Sequence, residues 1–95
     1  MKTILFVCTG NTFRSVSAEY LIRDYLKQND ITNLSVFSAG TKGSPKGVFY
    51  ETILAMNRYG LDISGHKYRI LNQEIVDNAD VIISMTHTHK DFIFN

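Results

Sequence analysis

The sequence is poor in cysteine, proline and tryptophan, and the shortage of cysteine excludes one class of protein. Its 95 residues contain one cysteine, one proline and no tryptophan. A single cysteine cannot close an internal disulfide, so a disulfide framework is excluded and we expect a cytoplasmic protein. The apolar run after Lys2 is too short for the core of a signal peptide, and no apolar segment reaches the length of a transmembrane helix.

The chain also lacks an excess of charge of one sign. Ten basic and nine acidic residues give a formal net charge of +1, and the two signs are interspersed. Because no basic patch forms, we expect neither a nucleic-acid partner nor a membrane partner. Any anion must therefore be bound locally. The length, without repeats or linker-like segments, predicts a single domain over residues 1–95.

Short apolar runs alternate with helical periodicity along the chain. The first helix shows apolar residues on a core side, including Val16, Tyr20, Leu21 and Tyr25, and Glu19 among the polar residues of the opposite side. Alternation of strands and helices predicts an α/β fold with a doubly wound parallel sheet, which binds ligands at the carboxyl ends of its strands. The predicted strands cover 3–7, 34–38 and 81–85, and the predicted helices cover 15–28, 48–59, closed by Gly60, and 72–76.

The segment from Cys8 to Ser15 carries the most specific chemical signal. Cys8 follows the first strand and stands six positions before Arg14. Backbone N–H groups that converge at a helix N-terminus favour a thiolate and bind phosphoryl oxygens, and an arginine fork adds two further donors. Gly10 allows a close approach to an anion. The alternative is a buried structural cysteine at a strand end.

These residues resemble the signature loop of the low-molecular-weight protein tyrosine phosphatases. Three further segments resemble that family in the same order along the chain: Ser38-Ala39-Gly40-Thr41, the run from Gly60 to His66, and the run from Ala79 to Thr86. The resemblance implies the same doubly wound α/β fold that the alternation of strands and helices predicts. It also implies a phosphorylated protein or a small phosphate ester as substrate. We expect no metal and no cofactor.

The resemblance also implies a role for each site residue. Cys8 is the nucleophile that forms a phospho-cysteine, Arg14 clamps phosphate oxygens, and Ser15 hydrogen-bonds the thiolate. Asn11, Ser38 and His66 hold the loop in shape. The alternative for Arg14 is a solvated arginine at a helix start, and for Ser15 it is a plain helix cap. For Asn11 it is a turn residue, and for His66 a partly exposed loop histidine. The phosphate is cradled by the loop residues Thr9, Gly10, Asn11, Thr12, Phe13 and Arg14.

Some positions depart from the common family pattern. Thr12 resembles the bacterial protein-arginine-phosphatase branch, whereas most tyrosine-specific members carry isoleucine at this position. Phosphotyrosine and phosphoarginine are therefore both candidate substrates. Phe13 replaces a second cysteine that forms a disulfide with the nucleophile in many relatives. Val16 stands at the usual proline position. His87 and His89 have no third partner that would indicate a metal site.

The family's general acid, an aspartate in an Asp-Pro pair, has no match in the sequence. We therefore expect a chain truncated at its C-terminus, without the family's last strand and helix, and a phosphatase whose turnover is impaired. The strand at 81–85 would be an open sheet edge, available to a dimer or to a partner chain. One alternative is a phosphate-binding pseudophosphatase or interaction module. Another is an arsenate reductase, although a disulfide relay within the chain needs more than one cysteine.

Overall fold

A computed structural model describes residues 2–11, 14–42 and 48–84. Within these ranges all six predicted elements are present, with boundaries shifted by a few residues. In chain order they are β1 (Lys2–Cys8), α1 (Arg14–Gln28), β2 (Leu34–Gly40), α2 (Tyr50–Asn57), α3 (Gln73–Asn78) and β3 (Val81–Ser84). The order confirms the predicted alternation of strands and helices.

The three strands form one parallel sheet in the order β2-β1-β3. β1 lies in the centre, where apolar side chains on both faces of the strand exclude water from its backbone hydrogen bonds. Cys8 pairs with Gly40 in register, so both strands end at the same edge of the sheet. The predicted α/β fold and the predicted place of Cys8 at a strand's carboxyl end are both confirmed.

Each face of the sheet is covered by different helices. Leu5 and Val7 point to one face, where they form a core with Ala39 and Leu71 against the apolar side of α3. Side chains alternate along a strand, so Ser38 points to the opposite face, where it contacts α1. A second core beside α1 consists of Val16, Met56 and Ile63. Helices on both faces are the doubly wound arrangement that the sequence predicts.

The predicted division of α1 into an apolar and a polar side is wrong at three positions. Glu19 is only 4% exposed, whereas Leu21 is 37% and Tyr25 is 58% exposed. Glu19 can be buried because it has two donors as partners, Arg23 and the Ser38 hydroxyl. Helical periodicity alone does not reveal a buried carboxylate whose partners lie on another element.

The second helix is shorter than predicted at both ends, but Gly60 closes it as predicted. It covers Tyr50–Asn57 rather than 48–59. Gly60 has φ of +75°, donates its N–H to the Asn57 carbonyl at 3.0 Å, and is followed by a 3.1 Å bond from the Leu61 N–H to the Met56 carbonyl. This pair of bonds terminates a helix and needs a residue at positive φ, which glycine supplies without strain.

Gly40 is the last residue of β2, which extends two residues beyond the predicted strand at 34–38. The segment that follows the His66 turn runs beside it: Gly40 donates to the Arg69 carbonyl and accepts from the Leu71 N–H, both at 2.8 Å. Arg69 is thereby fixed next to the carboxyl end of β2, within reach of the Cys8 loop.

Candidate active site

Cys8 ends β1 with its side chain only 3% exposed. Two polar groups are within hydrogen-bonding distance of its sulfur: the Ser15 Oγ is 2.9 Å from Sγ, and the Asn11 backbone N–H donates to Sγ at 3.2 Å. Ser15 is the second residue of α1, so the start of the helix and the loop before it converge on the sulfur. A hydroxyl and an N–H aimed at one sulfur match the hydrogen bonds that a thiolate accepts.

Asn11 has φ of 54°, a left-handed conformation that asparagine tolerates better than most residues. This conformation turns its N–H toward Cys8, and its side chain is fully buried. A residue with a branched or larger side chain would be strained here. The identity of residue 11 therefore serves both the backbone turn and the buried side chain beneath it.

The amide of Asn11 makes four hydrogen bonds below the loop. Its Nδ2 donates to the Ser15 Oγ at 2.9 Å and to the Ser38 Oγ at 2.7 Å. Its Oδ1 lies 2.9 Å from the Arg69 N–H and 3.1 Å from the His66 Nε2. An amide has two donors and an oxygen with two lone pairs, so every position is used.

The direction of the bond between Ser15 and Cys8 follows from this network. A backbone N–H only donates, so the Arg69 N–H requires the amide oxygen of Asn11 on its side and leaves the Nδ2 group facing Ser15. The Ser15 oxygen therefore accepts from Asn11. Its own proton is left to point at the Cys8 sulfur.

His66 is half-buried beside the same amide. Because the Asn11 Oδ1 accepts hydrogen bonds, the His66 Nε2 carries the proton, and Nδ1 faces the Tyr20 hydroxyl at 3.4 Å. Burial lowers the pKa of His66 below its ordinary value of 6.5, although the negative charge of Glu19 acts against the shift. Burial, followed by the same carboxylate, raises the pKa of Tyr20. Both rings are therefore held in their neutral forms near neutral pH.

Two residues at the base of the site are not among the residues proposed from the sequence. Glu19 accepts a hydrogen bond from the Ser38 hydroxyl and pairs with Arg23 at 2.7 Å. Ser15, Glu19 and Arg23 are spaced four residues apart and so share one side of α1, a signal that was available in the sequence. Arg69 contributes through its backbone N–H, and no pattern of side chains indicates that contact.

Five of the predicted site residues are therefore close together: Cys8, Asn11, Ser15, Ser38 and His66. Arg14 is exposed and begins α1, and Thr9 and Gly10 lie in the turn after β1. The Thr41 N–H bonds to the Cys8 carbonyl at 3.0 Å and the Lys42 N–H to the Thr9 carbonyl at 2.8 Å, which ties this turn to the end of β2. Thr12 and Phe13 lie outside the described residues.

Among residues 2–11, 14–42 and 48–84, no three histidine, cysteine, aspartate or glutamate side chains are grouped closely enough to hold a metal ion. His87 and His89 lie outside these ranges. In the same part of the chain, no helix has both the length and the apolar character needed to cross a membrane.

Comparison with known proteins identifies relatives that are longer than this chain. A family model described as low molecular weight phosphotyrosine protein phosphatase matches residues 3–95. The protein-arginine-phosphatase of Bacillus subtilis (strain 168) is 36% identical over 98 residues, which cover 95% of this chain and 59% of the relative. The low molecular weight protein-tyrosine-phosphatase Ptp of Acinetobacter johnsonii is 40% identical, with coverage of 97% and 62%.

An arsenate reductase of Staphylococcus aureus (strain Newman) is 36% identical, covering 88% of this chain and 60% of the relative. Among solved structures, a mutant of YwlE from Bacillus subtilis superposes with a TM-score of 0.88 at 34% identity, covering 98% of this chain and 62% of that chain. The chain thus spans about 60% of the length of the relatives that it matches.

Proposed function

Because the chain belongs to the low-molecular-weight protein tyrosine phosphatase family, we propose that it removes phosphoryl groups from proteins through a phospho-cysteine on Cys8. The observation that carries the proposal is the sulfur at the end of β1, with the Ser15 hydroxyl and the Asn11 N–H both directed at it. Two polar groups directed at one sulfur support its assignment as a nucleophile over a buried structural thiol.

The proposed reaction has two displacements. The Cys8 sulfur attacks phosphorus, an S–P bond forms, and the bond from phosphorus to the leaving oxygen or nitrogen breaks; a leaving group that needs a proton takes it from solvent water. Water then attacks the phospho-cysteine, releasing inorganic phosphate and restoring the thiolate. Arg14 and the backbone N–H groups of the loop are proposed to hold the phosphoryl oxygens in both steps.

Hydrolysis of an activated aryl phosphate tests this proposal. A nitrophenolate leaves without needing a proton, so the assay does not depend on a general acid, and no Asp-Pro pair occurs in these 95 residues. We expect turnover by the natural sequence and none by Cys8→Ser. We further expect slower turnover of unactivated esters. Equal hydrolysis by both proteins would refute the proposal, and tight phosphate binding without turnover would favour a phosphate-binding module.

The substrate class is proposed to be phosphotyrosine or phosphoarginine, because relatives bear both names. Thr12 supports phosphoarginine, since a hydroxyl can orient a guanidinium or water where an isoleucine would pack against a phenol ring. Comparison of Thr12→Ile with the natural sequence on a phosphoarginine and a phosphotyrosine peptide decides between them. We expect the substitution to shift the ratio of rates toward phosphotyrosine.

Arsenate reduction is the second candidate, because a relative of similar identity bears that name. Only one cysteine is present, so the electrons would have to come from an external thiol such as glutathione. Arsenate-dependent oxidation of glutathione by the natural sequence, absent in Cys8→Ser, would support this candidate.

A further inference from the structure

A buried carboxylate lies beneath the candidate active site, and its hydrogen bonds among the described residues go to Ser38 and Arg23 rather than to the Cys8 sulfur. Glu19 is 4% exposed, one turn of α1 after Ser15. We propose that Glu19 is a positioning residue that orients the hydrogen bonds leading to Cys8. The inference rests on the proposed function, in which the Cys8 sulfur is the attacking group.

The orientation begins at the carboxylate, which only accepts hydrogen bonds. The Ser38 hydroxyl therefore directs its proton to the Glu19 Oε1. The lone pairs of the Ser38 oxygen are left for the Asn11 Nδ2, which donates to it at 2.7 Å. The same Nδ2 group donates to Ser15, whose proton then points at Cys8.

The Asn11 amide is consequently held from two sides. On one side the Arg69 N–H fixes its oxygen, and on the other the pair of Ser38 and Glu19 fixes its nitrogen. The first anchor is a backbone group and is insensitive to side-chain substitution. The contact through Ser38 and Glu19 depends on side chains, so substitution of Glu19 can change it.

The two carboxylate oxygens of Glu19 accept hydrogen bonds from two different donors. Oε2 pairs with the Arg23 Nη2 at 2.7 Å, and Oε1 accepts from Ser38. Glutamine in its place would have one oxygen and one NH2 group. The charged Arg23 would take that oxygen, because a hydrogen bond to a charged donor is the stronger one. The NH2 group would then face Ser38, whose own proton would lose its acceptor.

This competition separates a positioning role from a merely structural one. If Glu19 only formed an ion pair, removal of Arg23 from the Glu19→Gln protein could not restore the site. If Glu19 orients Ser38, removal of Arg23 frees the glutamine oxygen to accept from Ser38 again. We therefore expect the double substitution Glu19→Gln with Arg23→Met to be less impaired at Cys8 than Glu19→Gln alone.

Alkylation of Cys8 by iodoacetamide measures the result without requiring phosphatase activity. Cys8 is the only cysteine, so the sulfur–carbon bond that forms as iodide leaves reports on that sulfur alone. We expect the alkylation rate of Glu19→Gln to be about tenfold lower, which corresponds to the free energy of one charge-assisted hydrogen bond. We expect the double variant to recover most of that rate. Glu74→Gln, the same change at an exposed residue of α3, is the matched control and is expected to leave the rate unchanged.

An unchanged rate in Glu19→Gln overturns the proposal, as does a double variant at least as slow as Glu19→Gln. If Glu19→Gln does not fold, Ser38→Ala takes its place, since it removes one buried hydroxyl and keeps the Arg23 ion pair; a natural rate in Ser38→Ala overturns the proposal. Altered alkylation in a protein that hydrolyses no phosphate ester would refute the proposed function while leaving the role of Glu19 intact.

Discussion

Asn11 connects four groups from three parts of the chain: Ser15, Ser38, His66 and the Arg69 backbone. Replacing it with aspartate keeps its shape but converts the two donors of Nδ2 into acceptors. Ser15 would then donate to residue 11 rather than to Cys8, and a carboxylate would lie beside the sulfur. We expect Asn11→Asp to slow alkylation of Cys8 about ten- to hundredfold.

Asn57→Asp is the control for this prediction, because it makes the same change at an exposed residue of α2. Iodoacetamide kinetics at neutral pH provide the measurement. A natural rate in Asn11→Asp would show that the direction of the Ser15 hydrogen bond has no influence on the sulfur.

His66 makes stability depend on pH. Its pKa in the folded protein is lowered by burial, so the unfolded chain binds the proton first as the pH falls. The stability that neutral His66 contributes is fully present above its ordinary pKa of 6.5 and is lost as the pH falls below that value toward the folded pKa. We expect the free energy of unfolding to decrease over this range.

His66→Gln retains a donor for the Asn11 Oδ1 but does not titrate. Urea unfolding at a series of pH values is therefore expected to show a smaller decrease for this variant than for the natural sequence. Identical pH dependence in the two proteins would contradict the account of His66.

At the scale of secondary-structure elements, the end of β2 packs directly against the Cys8 loop. A Cβ on Gly40 would lie 2.6 Å from the Thr9 carbonyl oxygen, 2.8 Å from the Lys42 carbonyl oxygen and 2.9 Å from the Asn11 nitrogen. All three are backbone atoms, so the loop itself would have to move. We expect Gly40→Ala to destabilise the fold by about 1–3 kcal/mol and to slow alkylation of Cys8.

Gly65→Ala is the matched control, since a Cβ there would have no neighbour within 4 Å. Its change in stability is expected to stay within about 0.5 kcal/mol. Thermal unfolding and alkylation rates of both variants test the prediction. If Gly40→Ala is as stable and as reactive as Gly65→Ala, the loop accommodates the added methyl group and the prediction is wrong.

The elements show which parts of the fold were predictable. Continuous apolar runs gave β1 and β3, and Gly60 gave the end of the second helix, because those signals are local. The start of α2 was misplaced, since Phe49 caps it without a side-chain hydrogen bond and so leaves no cap residue to recognise.

The site was predictable where the chemistry lies in a side-chain motif. The loop motif predicts Cys8, and the resemblance predicts the places of Asn11, Ser15, Ser38 and His66, which the fold brings together with it. The buried position of Glu19 was not predictable, because its burial depends on Ser38, which lies 19 residues away on β2. Arg69 was missed because a backbone N–H can be supplied by any residue except proline.

At the scale of the whole molecule, β3 is the outer strand of the described sheet on the side away from β2. Val81 is 50% and Ile83 is 41% exposed, so this edge is both unpaired and apolar within the described residues. Such edges pair with other chains. We expect these 95 residues to self-associate as their concentration rises, and Ile83→Lys to reduce the association.

Sedimentation velocity over a range of concentrations measures this effect. An apparent mass that increases with concentration in the natural sequence, and less so in Ile83→Lys, is the expected result. A concentration-independent monomer would contradict the idea that the β3 edge is available to a second chain.

We propose that the described elements form a single domain. β1 contributes both to the core against α3 and to the site that α1 completes, so no boundary separates the two faces. A single cooperative transition, followed both by circular dichroism and by tyrosine fluorescence, is the expected result.

The central claim is that Cys8 is the nucleophile of a phosphoryl transfer. Rapid acid quench of the full chain with an activated aryl phosphate, followed by mass spectrometry of its peptides, tests this claim most directly. The account predicts a phosphoryl adduct on Cys8 that forms within the first turnover and disappears as the substrate is consumed. Release of phosphate at the steady rate with no adduct on Cys8, or with the adduct on another residue, would contradict it.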